Sequence, residues 1–230
     1  MNNDRFKKIS NNYGELFSEV FAEQGLDYEA LQQSVFENVS RIRPDFRDAA
    51  ILDIGVGDGA TSTAFVEAGC KNITGIDLNP TMLAAAREKL GENIKLSQAD
   101  AIDMSTFESN QFAIIISATM IHNIPQRERE KFWKELLRLA PEVFVSADKI
   151  VDPDPELHKF YYDREVTAIK KVYGEKHGLL EAEQTWIDHY KCDEKERLEI
   201  NEIKKNLGNY YDIHITFEMG VNKTIVATKK

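Results

Sequence analysis

The sequence predicts an α/β fold, with a doubly wound sheet of seven strands, an antiparallel terminal hairpin and a helical cap inserted after the fifth strand. Three observations predict it. Over 46–151, short apolar runs alternate with segments of helical periodicity, which is the pattern of a parallel sheet with crossover helices. Over 152–208 the periodicity is helical, without strands. At the end of the chain, two alternating segments joined by a short connection indicate an antiparallel hairpin.

In chain order, two helices come first, at 4–24 and 27–43, and Pro44 ends the second. Apolar runs then predict five parallel strands, at 50–54, 72–76, 94–96, 112–117 and 143–147. The fourth run, FAIIIS, is apolar throughout, as in a strand buried on both faces. Crossover helices follow, and Asn79-Pro80 supplies an N-cap and a first turn for one of them. The hairpin strands are predicted at 211–218 and 224–228.

These elements divide the chain into three parts. Helices at 1–45 precede a core at 46–151 and 209–230, and the cap occupies 152–208. The cap leaves the sheet after the fifth strand, at the carboxyl edge where α/β sheets bind ligands. We therefore expect the cap, together with the N-terminal helices, to act as a lid over a site.

Composition limits the class of protein. Of the 230 residues, 42% are hydrophobic and 30% charged, which is ordinary for a soluble globular chain. We see no secretory signal and no apolar run near the roughly 18 residues of a membrane span, so we expect a cytoplasmic protein without a membrane partner. The net charge of −10 argues against nucleic acid, though it leaves RNA open, and favours a small molecule. Two cysteines, Cys70 and Cys192, predict neither a disulfide framework nor a metal cluster.

Three glycines mark the first turn from strand to helix, in the run ILDIGVGDGATSTAF. Gly55, Gly57 and Gly59 follow an apolar strand that contains Asp53, at the place where doubly wound folds admit a nucleotide. The same letters satisfy the G-x-G-x-x-G/A dinucleotide fingerprint, so the turn alone does not choose its ligand. A tight turn without a ligand is the purely structural alternative.

Two carboxylates narrow the choice. Asp77 ends the second strand, 18 positions past Gly59, where a carboxylate can accept hydrogen bonds from two ribose hydroxyls. Asp100 and Ala101 follow the third strand, where a carboxylate can accept from an adenine amine while the next backbone N–H donates to a ring nitrogen. The structural alternatives are an acid at a helix entry for Asp77 and an ordinary loop aspartate for Asp100.

In combination, Asp53-Ile-Gly55-Val-Gly57-Asp-Gly59, Asp77 and Asp100-Ala101 resemble the successive motifs of class I S-adenosylmethionine-dependent methyltransferases. The resemblance covers about residues 28–150 and the terminal hairpin. It implies a Rossmann-like sheet, S-adenosyl-L-methionine as the cofactor and methyl transfer to an acceptor. The implied cofactor-binding residues are Asp53, Gly55, Gly57, Gly59, Asp77, Leu78, Asp100, Ala101 and Ser117.

Within that set, the resemblance gives each part of the cofactor its own residues. The glycine turn cradles the methionyl end, Asp77 holds the ribose, and Asp100 with Ala101 holds the adenine. Backbone around Ser117 meets the methionine amino group. An acid such as Asp53 suits a cofactor with an ammonium and a sulfonium, and would be unfavourable beside a pyrophosphate.

Residues for the acceptor are predicted around the carboxyl edge. His122, after the fourth strand, is a candidate general base or orienting donor, and packing under the cofactor is its alternative. Tyr13 stands where many small-molecule enzymes of this class carry an aromatic residue that closes over the cofactor, and His189 in the cap is a third catalytic candidate. Aromatic side chains of the cap predict a substrate pocket, with a helical core stripe as the alternative: Tyr162, Trp186 and Tyr190.

The sequence thus predicts a methyltransferase that acts on a small-molecule acceptor. One alternative is a tRNA-modification enzyme, since the cap is loosely similar to that of carboxy-SAM synthase of tRNA wobble-uridine modification; no arginine here matches the one that would hold the extra carboxylate. The others are an NAD(P)-dependent oxidoreductase that uses the same turn and a non-enzymatic nucleoside-binding module. No metal is expected, and the acceptor and a homodimer are left open.

Overall fold

The sheet has seven strands, as predicted. A computed structural model of the protein describes residues 13–187 and 195–230. The strand order is β3-β2-β1-β4-β5-β7-β6, in which β1 to β5 are parallel and β7 and β6 are antiparallel to their neighbours. The strands are β1 (Ile51–Ile54), β2 (Ile73–Asp77), β3 (Lys95–Gln98), β4 (Ile114–Ala118), β5 (Val143–Lys149), β6 (Tyr211–Met219) and β7 (Asn222–Lys229). The predicted doubly wound α/β fold is confirmed.

Helices cover both faces of this sheet. They are α1 (Tyr13–Glu23), α2 (Tyr28–Ile42), α3 (Ala60–Glu67), α4 (Pro80–Leu90), α5 (Gln126–Leu139), α6 (Pro155–His177), α7 (Leu179–Ala182) and α8 (Ile200–Leu207). Asn79 caps α4 through the Thr81 N–H, with Pro80 in the first turn, as the sequence predicts. Of the predicted first helix, 4–12 lies outside the described residues. Among the described helices, none has the length and apolar character needed to cross a bilayer.

The strand bounds differ from the predicted ones by at most two residues at either end, and β3 is an example. The apolar run predicts 94–96, whereas the strand covers Lys95–Gln98. This strand is at the edge of the sheet and mostly exposed, so it carries few apolar residues to show its extent. Its length is set by backbone pairing with β2, which begins where Thr74 pairs with Lys95 and ends where Asp77 pairs with Gln98.

Two apolar layers hold the sheet between the helices. One layer joins the sheet to α1, α2, α3 and the first part of the cap, up to Ile187, and the other joins it to α5 and to α8 at the end of the cap. The cap packs on the N-terminal helices: Trp186 lies edge-on to Phe17 of α1 at 5.2 Å between ring centroids. Ion pairs at the surface add to this contact, with Lys171 Nζ 2.7 Å from Glu23. The first part of the cap and α1 therefore share one core. The division of the chain into core and cap stays a prediction.

Candidate active site

The glycine turn connects β1 to α3 through left-handed backbone. Gly55, Gly57 and Gly59 have φ angles of 73°, 57° and 85°. A side chain at Gly55 would collide with Met120, so this position needs glycine for space as well as conformation. At Gly57, by contrast, an added Cβ would meet nothing closer than Met82 Cε at 3.5 Å. The turn thus keeps the backbone at Gly57 open to a ligand.

Asp77 ties the end of β2 to this turn. Its carboxylate accepts the Gly57 N–H at 3.0 Å and the Asn79 N–H at 2.8 Å. Burial raises the pKa of Asp77, while these backbone donors oppose the rise. The adjacent parallel strands β1 and β2 therefore place glycine backbone and a carboxylate on one wall.

That wall belongs to a large cleft at the carboxyl edge of the sheet. The cleft contains about 990 Å³ of empty space, part of it open to solvent, which is in the usual range for ligand pockets. Six of the predicted cofactor residues line it: Gly55, Gly57, Asp77, Leu78, Asp100 and Ala101. The structure therefore brings the predicted ribose and adenine residues together with the turn.

Three predicted cofactor residues lie behind the wall of the cleft. Gly59 is the N-cap of α3, and Ser117 is fully buried in β4 with its hydroxyl bonded to Ser146. Asp53 is 1% exposed, and Ser62 Oγ donates to its Oδ2 at 2.6 Å. Asp53 Oδ1 is buried and has no hydrogen-bond partner among the described residues. Burial and the nearby Asp77 charge raise the pKa of Asp53 to about 7, against the effect of the Ser62 hydroxyl.

The cleft also has a wall that the sequence did not predict. Tyr28 and Gln32, one turn apart on α2, line it, and Gln32 is hydrogen-bonded to Thr61 of α3. Asn123 and Met120, in the segment after β4, close another side. The i, i+4 spacing of Tyr28 and Gln32 is the only sequence signal, and it does not say which way α2 faces.

His122 lies in that segment after β4 and is held by a buried carboxylate. Its Nδ1 is 2.5 Å from Oδ1 of Asp148, which is in β5 and fully buried. Asp148 also accepts backbone N–H groups from Met120, Ile121 and Lys149, the last at 2.8 Å. Burial alone would raise the pKa of Asp148, but His122 and the backbone donors hold it below its ordinary value. Sequence analysis missed Asp148, although a charged residue in the otherwise apolar run VFVSADK was a signal for it.

A second, smaller cavity lies on the other side of His122. It contains about 430 Å³ of empty space and is lined by His122, Tyr162 of α6 and residues near the end of β5. Of the other predicted acceptor residues, Trp186 is 4% exposed and packs between Phe17 and Tyr173, away from both cavities. Tyr13 begins α1, but its side chain lies outside the description, as do His189 and Tyr190.

The cleft and its glycine turn have counterparts in known proteins. Residues 51–141 match a family described as "Methyltransferase domain". A solved magnesium protoporphyrin IX methyltransferase from Synechocystis PCC 6803, with bound SAH, aligns over 86% of this chain and 83% of its own at a TM-score of 0.59. Residues 51–141 are a methyltransferase domain. The same Synechocystis enzyme is also solved with bound SAM, the cofactor that the sequence predicts for this chain. The structural match is 18% identical in sequence and by itself shows the fold alone.

Curated relatives of the methyltransferase domain match over shorter segments. Phosphoethanolamine N-methyltransferase 2 of Caenorhabditis elegans is 37% identical over 90 residues, which is 37% of this chain and 20% of that protein. Carboxy-S-adenosyl-L-methionine synthase of Chromohalobacter salexigens is 29% identical over 123 residues, or 50% of this chain and 46% of that protein. The chain thus spans less than half the length of these relatives.

Proposed function

We propose that this protein transfers a methyl group from S-adenosylmethionine to a small-molecule acceptor. The charge of the cleft carries the proposal. Its described lining includes Asp58, Asp77 and Asp100 but no lysine or arginine. Lys89 pairs with Asp58 at 2.8 Å, but Asp77 and Asp100 have no such cation in the lining. Their charge is unfavourable for a pyrophosphate and favourable for a ligand with an ammonium and a sulfonium. The acidic lining therefore favours S-adenosylmethionine over a nicotinamide dinucleotide.

The residues of the cleft fit the parts of this cofactor. We assign the ribose hydroxyls to Asp77, whose neighbour Leu78 also lines the cleft, and the adenine to Asp100 and Ala101. The open backbone of Gly55 and Gly57 suits the methionyl end. Behind the turn, the unpartnered Oδ1 of Asp53 supplies negative charge on the side where the ammonium would lie. When bound, the cofactor supplies an electrophilic methyl group, and the protein aligns the acceptor and excludes water.

A small-molecule acceptor is supported by the net charge of −10 and by a second, smaller cavity partly open to solvent. A similar protein is named for a small acceptor, phosphoethanolamine. The carboxy-S-adenosylmethionine alternative would place an extra carboxylate in the cleft, and the described lining offers no lysine or arginine to hold it. The predicted catalytic roles of Tyr13 and His189 and the cytoplasmic location stay predictions.

Isothermal titration calorimetry on the full chain tests the cofactor. S-adenosylmethionine and S-adenosylhomocysteine should bind, and NADH should not. Tight binding of NADH with no response to the other two ligands would overturn the proposal.

Transfer of a labelled methyl group to a panel of small hydroxyl and amine compounds, to tRNA and to protein then tests the acceptor. Label in tRNA or protein alone would contradict a small-molecule acceptor. Mass spectrometry of any co-purified ligand distinguishes S-adenosylmethionine from its carboxy derivative.

A further inference from the structure

We propose that the second cavity binds the acceptor, and that His122, positioned by Asp148, removes the proton from a weakly acidic hydroxyl of that acceptor. The acceptor class is a small, largely apolar molecule with a phenol-like O–H group. The inference rests on the proposed function, because it uses the same methyl transfer.

The His122–Asp148 pair is built to present one ring nitrogen. Asp148 occupies Nδ1 of the ring at 2.5 Å. The carboxylate cannot turn away, because it also accepts the backbone N–H groups of Ile121 at 2.7 Å and Lys149 at 2.8 Å. A buried carboxylate on Nδ1 selects the tautomer with its proton there, which leaves Nε2 as the proton acceptor. His122 lines the second cavity, and we infer that this nitrogen meets a molecule bound there.

The rest of the cavity is mostly apolar. Hydrophobic side chains contribute from β5 and its continuation, from the segment before α8 and from the β6–β7 turn: Ile150, Val151, Leu198 and Val221. The charged and titratable groups around His122 are Asp148 and Lys149 of β5, His158 and Glu165 of α6, and Arg197. Lys149 Nζ lies 3.1 Å from Glu165 Oε1, so the opposite charges of these two side chains compensate each other. The apolar part of the cavity therefore suits a largely apolar acceptor, and we assign His122 as its base.

A base is needed only for some acceptors. A neutral amine already has a lone pair for attack on a methyl group, whereas a neutral hydroxyl becomes a good nucleophile only as it loses its proton. A positioned histidine–carboxylate pair therefore favours an O–H acceptor over an amine. In the net reaction the O–H bond breaks and an O–CH₃ bond forms. The C–S bond of the sulfonium breaks with its electron pair left on sulfur, and the proton leaves through the imidazole to solvent.

The two cavities are lined by adjacent residues of one turn. His122 lines the second cavity, and its neighbour Asn123 lines the cofactor cleft. Both belong to a single 3₁₀ turn, Ile121–Asn123, so the wall between the cavities is one turn thick. Met120, which covers Gly55, forms part of this wall on the cleft side and has the flexible side chain of a residue that can move aside.

The test uses 4-nitrophenol, whose ionised form absorbs visible light, with the full chain saturated with S-adenosylhomocysteine. In the wild type we expect the bound phenol to ionise at a pH about one unit below that of the free phenol, because the imidazolium formed beside it favours the phenolate. His122→Gln should abolish this shift and leave the affinity for S-adenosylhomocysteine unchanged. His214→Gln, at an exposed histidine of β6, is the matched control and should keep the shift.

The positioning role of Asp148 needs a measurement that would not change if Asp148 only stabilised the fold. Nitrogen NMR of the His122 ring should show the proton on Nδ1 in the wild type and a mixture of tautomers in Asp148→Asn. If that variant does not fold, the wild-type spectrum and His122→Gln still decide the matter. No shift in the wild type, a shift retained in His122→Gln, or a proton on Nε2 would overturn the inference while S-adenosylhomocysteine still binds. Failure of S-adenosylhomocysteine to bind the wild type would instead overturn the proposed function.

Discussion

The two cavities on either side of the 119–123 segment are built in different ways. The cofactor cleft is formed by backbone and by carboxylates that end consecutive strands, so its parts follow one another in the sequence. The second cavity is formed by side chains from β5, α6 and the segments around 197 and 221, which are far apart in the chain. A site made by backbone at strand ends is therefore visible in the sequence as glycines and acids at fixed places. A site made by distant side chains becomes visible only in the fold.

The largest effect should come from the backbone of the cleft. Gly57→Val should weaken S-adenosylhomocysteine binding at least about 100-fold, because a branched side chain is strained at a φ of 57° and projects into the cleft. Calorimetry on variants shown by circular dichroism to be folded measures this loss.

Gly69→Val is the matched control. Gly69 has a φ of 91°, and a Cβ there would have no atom within 4 Å. It carries the same kind of backbone strain without facing the cleft. Equal affinities in the two variants would mean that the cofactor does not touch the turn.

The next effect concerns Asp77, whose carboxylate should accept hydrogen bonds from both the cofactor and the glycine turn. Asp77→Ala should cost about 1.5–3 kcal/mol of binding free energy, or roughly 10- to 150-fold in affinity, as for hydrogen bonds to a charged group. Part of this loss comes through the turn, because Asp77 also holds the Gly57 N–H. Asp103→Ala, at an exposed loop acid outside the cleft, should leave affinity unchanged. An unaltered affinity in Asp77→Ala would remove the ribose assignment.

A smaller effect should distinguish the function of the second cavity from that of the cofactor cleft. Tyr162→Ala should lower turnover about 10-fold by misaligning the acceptor, and leave S-adenosylhomocysteine affinity within about twofold. Phe160→Ala, two positions away and 53% exposed, should change neither quantity. Steady-state rates and calorimetry on the same preparations check both. If Tyr162→Ala weakened S-adenosylhomocysteine binding as much as it lowered the turnover rate, the two cavities would not be separate sites.

The last effect is on the free energy of unfolding, and it concerns Asp53, the buried acid behind the turn. Because the pKa of Asp53 is about 7 in the folded protein, unfolding releases its proton between about pH 4 and pH 7. The raised pKa therefore costs stability that grows as the pH rises through this window and is constant above it. Asp53→Asn removes the cost and keeps an oxygen for the Ser62 hydroxyl. The difference in unfolding free energy, variant minus wild type, should rise by on the order of 4 kcal/mol between pH 4 and pH 7, at about 1.4 kcal/mol for each pH unit. Urea unfolding at several pH values measures it, and a constant or falling difference would show that Asp53 is ionised throughout.

The sequence predicts the parts of the molecule whose signals are local. The succession of strands along the chain, the glycine turn and the N-cap at Asn79 depend on neighbouring residues, and the structure has them where they were expected. Asp148 was missed because its partner His122 is 26 positions away, and only the pairing of β4 with β5 brings them together. Trp186 shows the reverse case, since a helical aromatic residue looks the same in the sequence whether it faces a ligand or, as here, Phe17.

A crystal structure of the full chain with S-adenosylhomocysteine tests the central claim most directly, because it locates the cofactor relative to the glycine turn. We predict ribose hydroxyls at about 3 Å from the Asp77 carboxylate, the adenine beside Asp100 and Ala101, and the methionyl chain along Gly55 and Gly57. The second cavity should remain free for an acceptor. An adenosine moiety bound away from Asp77, or bound in the second cavity against His122, would contradict the account.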